Sequence, residues 1–251
     1  MIGIYALLAE WQALADPATE TGVAHLKLTW WRDEMQRLAQ GSGAHPISSY
    51  LRALPRSADV DWSPLLQAVE AAAAQIGGAP WECRADLEGQ SQALWGGPIE
   101  LASRLAGEPL DPEGLGRSIR ALAAAEYLAK ALGDYRRDAR RGRVSLALDD
   151  MLAAGITNGE LAADVAPVSL QVYLATQRAC AAGYFEAAGA ALPALERPGQ
   201  RHLLILAALG RRRLDAGPHS RARRVSDMLL AWTTARRAAA RRGPSTSEIA
   251  R

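Results

Sequence analysis

The sequence predicts an all-α fold that forms a single domain. Alanine and leucine, which favour helices, dominate the composition, and β-branched residues do not gather into runs. Apolar residues recur every three or four positions between breaks at glycine or proline, and no alternating pattern typical of a strand extends beyond a few residues. A chain of 251 residues suits one large domain. We therefore expect residues 1–242 to fold together and residues 243–251 to fray.

Glycine, proline and capping residues mark where the predicted helices begin and end. Asp16-Pro17 ends the first helix, because the residue before a proline disfavours helical backbone. Ser63-Pro64 begins another, because serine caps a helix and proline suits its first position. Thr157 and Glu160 have the spacing of a capping box, which begins a short helix. Together these signals predict helices over residues 2–15, 24–40, 46–54, 63–76, 81–105 with an interruption near 96–98, 112–137, 168–190, 200–214 and 226–242, and a short helix that ends at Gly155.

Composition excludes several classes of protein. Two cysteines, Cys83 and Cys180, are too few for a disulfide-rich scaffold or a thiolate zinc site. No run approaches the ~18 uninterrupted apolar residues that a membrane-spanning helix needs. The start of the chain carries neither a basic segment nor a cleavage signal. We therefore expect a cytoplasmic protein.

The basic residues are mostly arginines, and they occur in clusters. The chain has 29 lysines and arginines, of which only Lys27 and Lys130 are lysine. Arginine clusters can bind phosphate, nucleic acid or an anionic membrane, but a GC-rich genome that encodes arginine wherever a cation suffices gives the same pattern, and we favour that interpretation for the C-terminal clusters. The predicted helix over 226–242 has an apolar face and an arginine face, so it suits either peripheral contact with a membrane or, as we favour, packing on the bundle. No recognition motif for nucleic acid accompanies the clusters, so no nucleic-acid partner is expected.

The stretch most informative about chemistry lies between residues 126 and 150. Asp134 and Asp138 are four residues apart, so their carboxylates share one face of a helix. Such a pair suits Mg²⁺, which prefers oxygen ligands and often bridges protein and substrate phosphates. Arg141 and Arg143 follow, and their guanidinium groups can bind phosphate oxygens in a forked geometry. The spacing alone is more typical of solvated ion pairs along a helix.

Four segments resemble the squalene/phytoene synthase family, and they occur in the family's order. Residues 134–150, DYRRDARRGRVSLALDD, look like its second aspartate-rich motif with the Gly-Arg tail. Residues 26–35, LKLTWWRDEM, are similar to its Trp-Trp-Arg-acid segment. Residues 85–88 resemble the segment before the family's central helix, and residues 226–239 resemble its closing helix. The chain is thereby identified as a divergent member over residues 5–239.

The resemblance implies an isoprenoid-synthase-like helical bundle around a central apolar cavity. In active members, two DxxxD helices hold Mg²⁺ on a prenyl diphosphate, and two prenyl chains are joined head to head. A prenyl diphosphate or another isoprenoid lipid is therefore the implied partner, and Mg²⁺ is the implied cofactor if the protein is catalytic. The resemblance assigns metal binding, if a metal is still bound, to Asp16, Asp134 and Asp138, and substrate binding to Gln12, Gln90, Lys130, Arg141 and Arg143.

The chain departs from the family pattern where the chemistry should be. In the first motif Gln12 stands where a second acid is expected, so only Asp16 remains of the pair. A glutamine can offer one oxygen to a metal but no negative charge. Lys130 replaces an asparagine one helical turn before Asp134, where its ammonium is within reach of both Asp134 and Glu126. We hypothesise that the site has exchanged a metal cluster for an internal cation and no longer ionises prenyl diphosphates efficiently.

Three functions remain open at this point. The first, which we favour, is a synthase-like protein that binds an isoprenoid but has weak or no synthase activity. An accessory or assembly role then has a precedent in a mitochondrial complex I assembly factor, which is similar to the synthases. The second function is that of an active Mg²⁺-dependent prenyltransferase that uses Asp16, Asp134 and Asp138. The third is a basic helical nucleic-acid-binding module, which only the arginine clusters favour.

Overall fold

The computed structural model describes residues 2–16, 19–78, 80–107, 112–190, 200–216, 227–228 and 230–234. Within these ranges the chain folds as a single helical domain without a β-strand, apart from an isolated bridge between Trp81 and Ala147. The all-α prediction is therefore confirmed. The principal helices are α1 (Ile2–Leu14), α2 (Thr21–Ala39), α3 (Pro46–Arg52), α4 (Ser63–Ile76), α5 (Arg84–Ser91), α6 (Gly97–Ala106), α7 (Pro112–Ala139), α8 (Leu148–Ala153), α9 (Asn158–Ala162), α10 (Val168–Ala190) and α11 (Arg201–Ala216).

Most helix boundaries follow the local signals in the sequence. Helix α10 begins and ends at the predicted residues, and α4 ends at Ile76 as predicted. The capping box of α9 forms as predicted, with the Thr157 N–H donating to Glu160 Oε2 at 2.7 Å. The cap of α4 differs from the prediction. Trp62 precedes the first helical residue, because Asp61 accepts hydrogen bonds from the backbone N–H and hydroxyl of Ser63 and places that serine in the first turn.

The predicted interruption near residues 96–98 is a π-helical turn over Gln92–Gly96, which joins α5 to α6. Helix α7 continues to Ala139, two residues beyond its predicted end, and therefore includes Asp138. These two extra residues matter for the site, because they hold Asp134 and Asp138 in one continuous helix.

The last predicted helix is described only in part. Residues 227–228 and 230–234 are helical, whereas the arginines that follow them, and the predicted tail over 243–251, lie outside the described residues. Peripheral contact between this helix and a membrane therefore stays a prediction. None of the described helices is both long enough and apolar enough to cross a bilayer.

Helix α7 is the central element of the bundle, and α5, α6, α9, α10 and α11 pack against it. Its buried leucines, such as Leu122 and Leu128, fill the core, while the buried alanines between them allow neighbouring helices to approach closely. Helix α1 packs beside α2, α4 and α6, with Trp11 fully buried and its ring centroid 6.2 Å from that of Trp31. The segment after α1 thereby meets the C-terminal turns of α7.

Candidate functional site

Three carboxylates meet where the C-terminal end of α7 approaches the end of α1. Asp134 and Asp138 lie one turn apart on α7, and Asp16 lies two residues beyond the end of α1. Asp138 is almost completely buried, whereas the side chains of Asp16 and Asp134 keep about a quarter of their surface exposed. The structure therefore brings together the three aspartates that the sequence assigned to a metal site.

The side chain of Arg137 lies between these three aspartates. Its Nη1 atom is 3.1 Å from Asp16 Oδ2, and its Nη2 atom is 3.1 Å from Asp134 Oδ2 and 3.3 Å from Asp138 Oδ1. Burial lowers the pKa of Arg137, but the three carboxylates outweigh burial, so that the pKa is raised above its ordinary value. We call Arg137 with Asp16, Asp134 and Asp138 the Arg137 cluster.

Lys130 adds a second cation to the same group. Its Nζ atom lies 3.0 Å from Asp134 Oδ2, as the four-residue spacing predicts. The expected contact between Lys130 and Glu126 does not form, because the Glu126 carboxylate is fully buried and pairs instead with Arg213 of α11, at 2.6 Å. Lys130 therefore pairs with Asp134.

The turn after α7 places the next two arginines. The backbone N–H groups of Arg141 and Arg143 donate to the Asp138 carbonyl at 2.9 and 3.0 Å, and Gly142 between them has a φ of +75°, a left-handed conformation that glycine adopts readily. The Ser145 hydroxyl also donates to Asp138 Oδ2, at 3.3 Å. The chain is thus folded back so that both arginines lie beside the Arg137 cluster.

Arg143 connects this turn to two other helices. Its Nη2 atom donates to the Ala15 carbonyl at 2.8 Å, and its Nη1 atom donates to the Gln75 carbonyl at 3.3 Å. Burial lowers the pKa of Arg143, although Asp138 and Asp16 counteract that effect, and an arginine remains charged near neutral pH. Arg141 is more exposed, and its Nη1 atom lies 4.0 Å from Asp16 Oδ1.

A cavity of about 40 Å³ lies beside the Arg137 cluster, and its lining is of mixed polarity. Within it, the Tyr127 hydroxyl accepts a hydrogen bond from Trp81 Nε1 at 2.6 Å, and burial raises the pKa of Tyr127 to about 12. This volume holds little more than a water molecule, whereas pockets for small-molecule ligands are typically ~300–1,000 Å³. The lining residues are Gln12, Ala15, Gln75, Gly78, Trp81, Leu94, Tyr127, Lys130, Ala131, Asp138, Arg143, Val144 and Ser145.

Of the residues that the resemblance assigned to substrate binding, Gln12, Lys130 and Arg143 line this cavity together. Arg141 lies outside it, on a neighbouring groove. Gln90 is not among the residues that line either space, because its side-chain amide donates to the Ala71 carbonyl of α4 at 2.7 Å. The proposed binding site below therefore does not include Gln90.

The residues present do not fit a magnesium site as they are arranged. Mg²⁺ requires several oxygen ligands around one point, and the carboxylate oxygens of the Arg137 cluster are directed at guanidinium and ammonium groups instead. Across the part of the chain that the structure describes, no group of three or more His, Cys, Asp or Glu side chains is arranged to hold a metal ion.

Arg137 is the residue of the site that the sequence did not single out. Its position three residues after Asp134 and directly before Asp138 is a signal for ion pairing along a helix. That signal is weak in a chain with so many arginines, and the contact with Asp16 depends on how α1 packs against α7.

Comparisons with known proteins agree with this architecture. The family model described as "Squalene/phytoene synthase" matches residues 1–238. No curated protein matches the sequence. Among solved structures, the chain is similar to a dehydrosqualene synthase in complex with ligand, with a TM-score of 0.74 and 18% sequence identity, over 92% of this chain and 85% of that one. It is also similar to the squalene synthase HpnC from Alicyclobacillus acidocaldarius, with a TM-score of 0.68 and 21% identity, over 90% and 82% of the two chains.

Because the sequence identities are low, the similarity to these two structures establishes the fold alone. The family match extends over nearly the whole chain and includes all the residues of the Arg137 cluster. This chain therefore belongs to the squalene/phytoene synthase family.

Proposed function

We propose that this protein binds a prenyl diphosphate or another isoprenoid lipid and has weak or no synthase activity. One observation carries the proposal: the Arg137 guanidinium contacts Asp16, Asp134 and Asp138 within 3.1–3.3 Å, at the place where the family pattern predicts a metal site. The three carboxylates therefore already share a cation of the chain, and Lys130 adds a second cation beside Asp134.

The physical reason is competition for the same oxygens. A magnesium cluster on these aspartates would have to displace Arg137 and Lys130, because both cations already contact carboxylate oxygens. Gln12 adds no negative charge with which to attract the metal. Since each ~1.4 kcal/mol of lost transition-state stabilisation slows a reaction about tenfold, a loss of a few kcal/mol reduces ionisation of a prenyl diphosphate by about a thousandfold.

An accessory role follows naturally from this proposal. A protein that keeps the fold and an anion-binding corner, but has lost its metal chemistry, can deliver or sequester an isoprenoid lipid, or can serve in assembly as one relative of the family does. The exposed guanidinium groups at the rim supply the contacts for the charged end of such a ligand.

The test is release of diphosphate by the purified protein, supplied with farnesyl or geranylgeranyl diphosphate and Mg²⁺. We expect turnover about a thousandfold below that of an ordinary enzyme. The double variant Arg137→Ala with Lys130→Asn removes both competing cations and should bind Mg²⁺ more tightly, by about tenfold or more, in a calorimetric titration. Arg104→Ala is the matched control, since Arg104 forms an exposed pair with Glu100 on α6. Turnover by the wild type at an ordinary enzymatic rate would refute the proposal.

An active Mg²⁺-dependent prenyltransferase that joins two prenyl diphosphates head to head is the second candidate. The observation that favours it is the convergence of Asp16, Asp134 and Asp138, together with the 39% exposure of the Arg137 side chain, which leaves a path for that side chain to swing into solvent. If this candidate is correct, Arg137→Ala changes the apparent affinity for Mg²⁺, while the wild type already turns over prenyl diphosphate.

A further inference from the structure

An open groove lies next to the Arg137 cluster, on the outer side of the site. It has a volume of about 430 Å³ and runs between the end of α1, the start of α2, the end of α4 and the turn after α7. The described lining is Leu14, Ala15, Asp16, Thr19, Thr21, Ala24, Ile76, Gly77, Gly78, Arg141, Gly142 and Arg143, and we call this space the Arg141 groove.

The charged groups of the groove favour an anion. Arg141 and Arg143 are the cations of its described lining, and Asp16 is the acid. That acid is already contacted by Arg137 at 3.1 Å. Arg143 is held by two backbone carbonyls, and no carboxylate of the described residues lies within ion-pair distance of its guanidinium. Its guanidinium therefore forms no direct ion pair there, although the nearby Asp138 and Asp16 carboxylates act on its charge.

The groove and the adjoining Arg137 cluster, taken together, also carry a net positive charge. The cations are Lys130, Arg137, Arg141 and Arg143, and the carboxylates are Asp16, Asp134 and Asp138. A site that holds divalent cations needs an excess of negative charge, whereas this corner has four cations and three carboxylates. An anion therefore does not need a metal ion to mediate its binding here.

The donor geometry identifies the class of anion. Guanidinium groups present two parallel N–H donors that match phosphate oxygens, and such charge-assisted hydrogen bonds are stronger than neutral ones. The hydroxyl group of Thr21 adds a donor to the lining of the groove, whereas the Thr19 hydroxyl already donates to the Ala13 carbonyl at 3.0 Å. The volume of about 430 Å³ is sufficient for a diphosphate group with part of a chain attached.

We propose that the Arg141 groove binds the phosphate or diphosphate group of a ligand directly through Arg141 and Arg143, without a metal ion. This inference rests on the proposed function, because it requires that the neighbouring carboxylates are paired with Arg137 and Lys130 rather than with a metal ion. It adds that the recognition of the charged group has moved from metal ions to arginines of the turn after α7. The ligand is then held as an intact anion, and no bond to its diphosphate is broken.

The experiment is a calorimetric titration of the full chain with inorganic pyrophosphate, first in EDTA and then in Mg²⁺. We expect binding in EDTA, with an affinity that Mg²⁺ does not increase. Arg141→Ala should weaken that binding about tenfold or more, because it removes a charge-assisted contact without breaking a hydrogen bond of the fold. Arg140→Ala is the matched control, since Arg140 pairs with Asp164 and the Ala162 carbonyl and does not line the groove.

Three outcomes overturn the inference in distinguishable ways. Absence of pyrophosphate binding both in EDTA and in Mg²⁺ overturns it alone, because the proposed function is tested separately by turnover. Binding that appears only with Mg²⁺ also overturns it, because a metal ion then mediates the contact. Equal losses in Arg141→Ala and Arg140→Ala show general attraction to a basic surface and also overturn it. Farnesyl diphosphate, titrated in EDTA, separates the sources of the anion, since tighter binding than that of pyrophosphate indicates a prenyl ligand and equal binding indicates the free anion.

Discussion

Helix α7 carries acidic residues at two places on one face, and the protein balances their charges differently. Near the middle of the helix, Glu126 is fully buried and pairs with Arg213 of α11. At the C-terminal end, Asp134 pairs with Lys130, shares Arg137 with the other carboxylates of the Arg137 cluster, and keeps 25% of its side chain exposed. The buried pair contributes to holding α11 on the bundle, whereas the outer carboxylates remain accessible to solutes. A similar acid–base pairing can therefore serve stability at one place and function at the other.

Close packing between helices explains why the Glu126 carboxylate of the inner pair is shielded from water. Gly210 of α11 lies directly over Glu126, and a Cβ atom at that position would overlap Glu126 Oε1 and lie 2.6 Å from Phe185 Cζ. Only glycine permits the two helices to approach this closely. Glu126 Oε1 is buried and has no hydrogen-bond partner among the described residues, so the carboxylate depends on Arg213 for compensation.

The largest loss of stability is expected when this inner pair, Glu126 with Arg213, is broken. Arg213→Ala leaves the buried Glu126 charge without its cation, so we expect the free energy of unfolding to fall by about 3–5 kcal/mol. Urea denaturation measures the change. Arg211→Ala is the control on the same helix, because Arg211 pairs with Glu186 on the surface and should cost less than ~1 kcal/mol. Equal losses in the two variants would show that the buried pair has no special role.

The inner pair should also make the stability of the protein depend on pH. Burial raises the pKa of Glu126, and Arg213 opposes the rise only in part, so the folded protein binds a proton here more readily than the unfolded chain does. Stability therefore falls as the pH rises from the unfolded pKa of a glutamate to the raised pKa of the folded state, by at most about 1.4 kcal/mol per pH unit. Unfolding measured over this range should show a shallower slope in Glu126→Gln than in the wild type. Parallel slopes in the two proteins contradict the assignment.

The smallest loss of stability is expected when the pair at the C-terminal end of α7, Lys130 with Asp134, is broken. Lys130→Met breaks a pair whose partners are about a third and a quarter exposed, so water screens the loss and the free energy of unfolding should change by less than ~1 kcal/mol. Urea denaturation of this variant beside Arg213→Ala gives the comparison directly. A loss as large as that of the inner pair would mean that the Arg137 cluster stabilises the fold rather than remaining available for a ligand.

Much of this architecture can be predicted from local signals. The ends of α4 and α10 follow from caps, prolines and apolar periodicity, which act over a few residues. The pairing of Lys130 with Asp134 follows from helical spacing alone. The convergence of Asp16 with Asp134 requires contacts between segments that lie far apart in the chain, and only the resemblance to a family suggested it.

Arg137 and Glu126 show where local reasoning ends. The sequence predicted a contact between Lys130 and Glu126, but α11 buries Glu126 and supplies Arg213 from 87 residues further along the chain. The choice of Arg137 as the shared cation likewise depends on the position of Asp16, which the packing of α1 determines. Electrostatic partners at long separation in the chain depend on distances that periodicity does not contain.

The amino-acid sequence by itself determined the helical composition, most helix boundaries and the supply of acidic and basic groups along α7. These properties depend on backbone preferences and on spacings of three or four residues. The tertiary structure alone decided which cation meets which carboxylate, because ion pairing depends on interatomic distance and on burial, and both arise only when α1, α7 and α11 pack together.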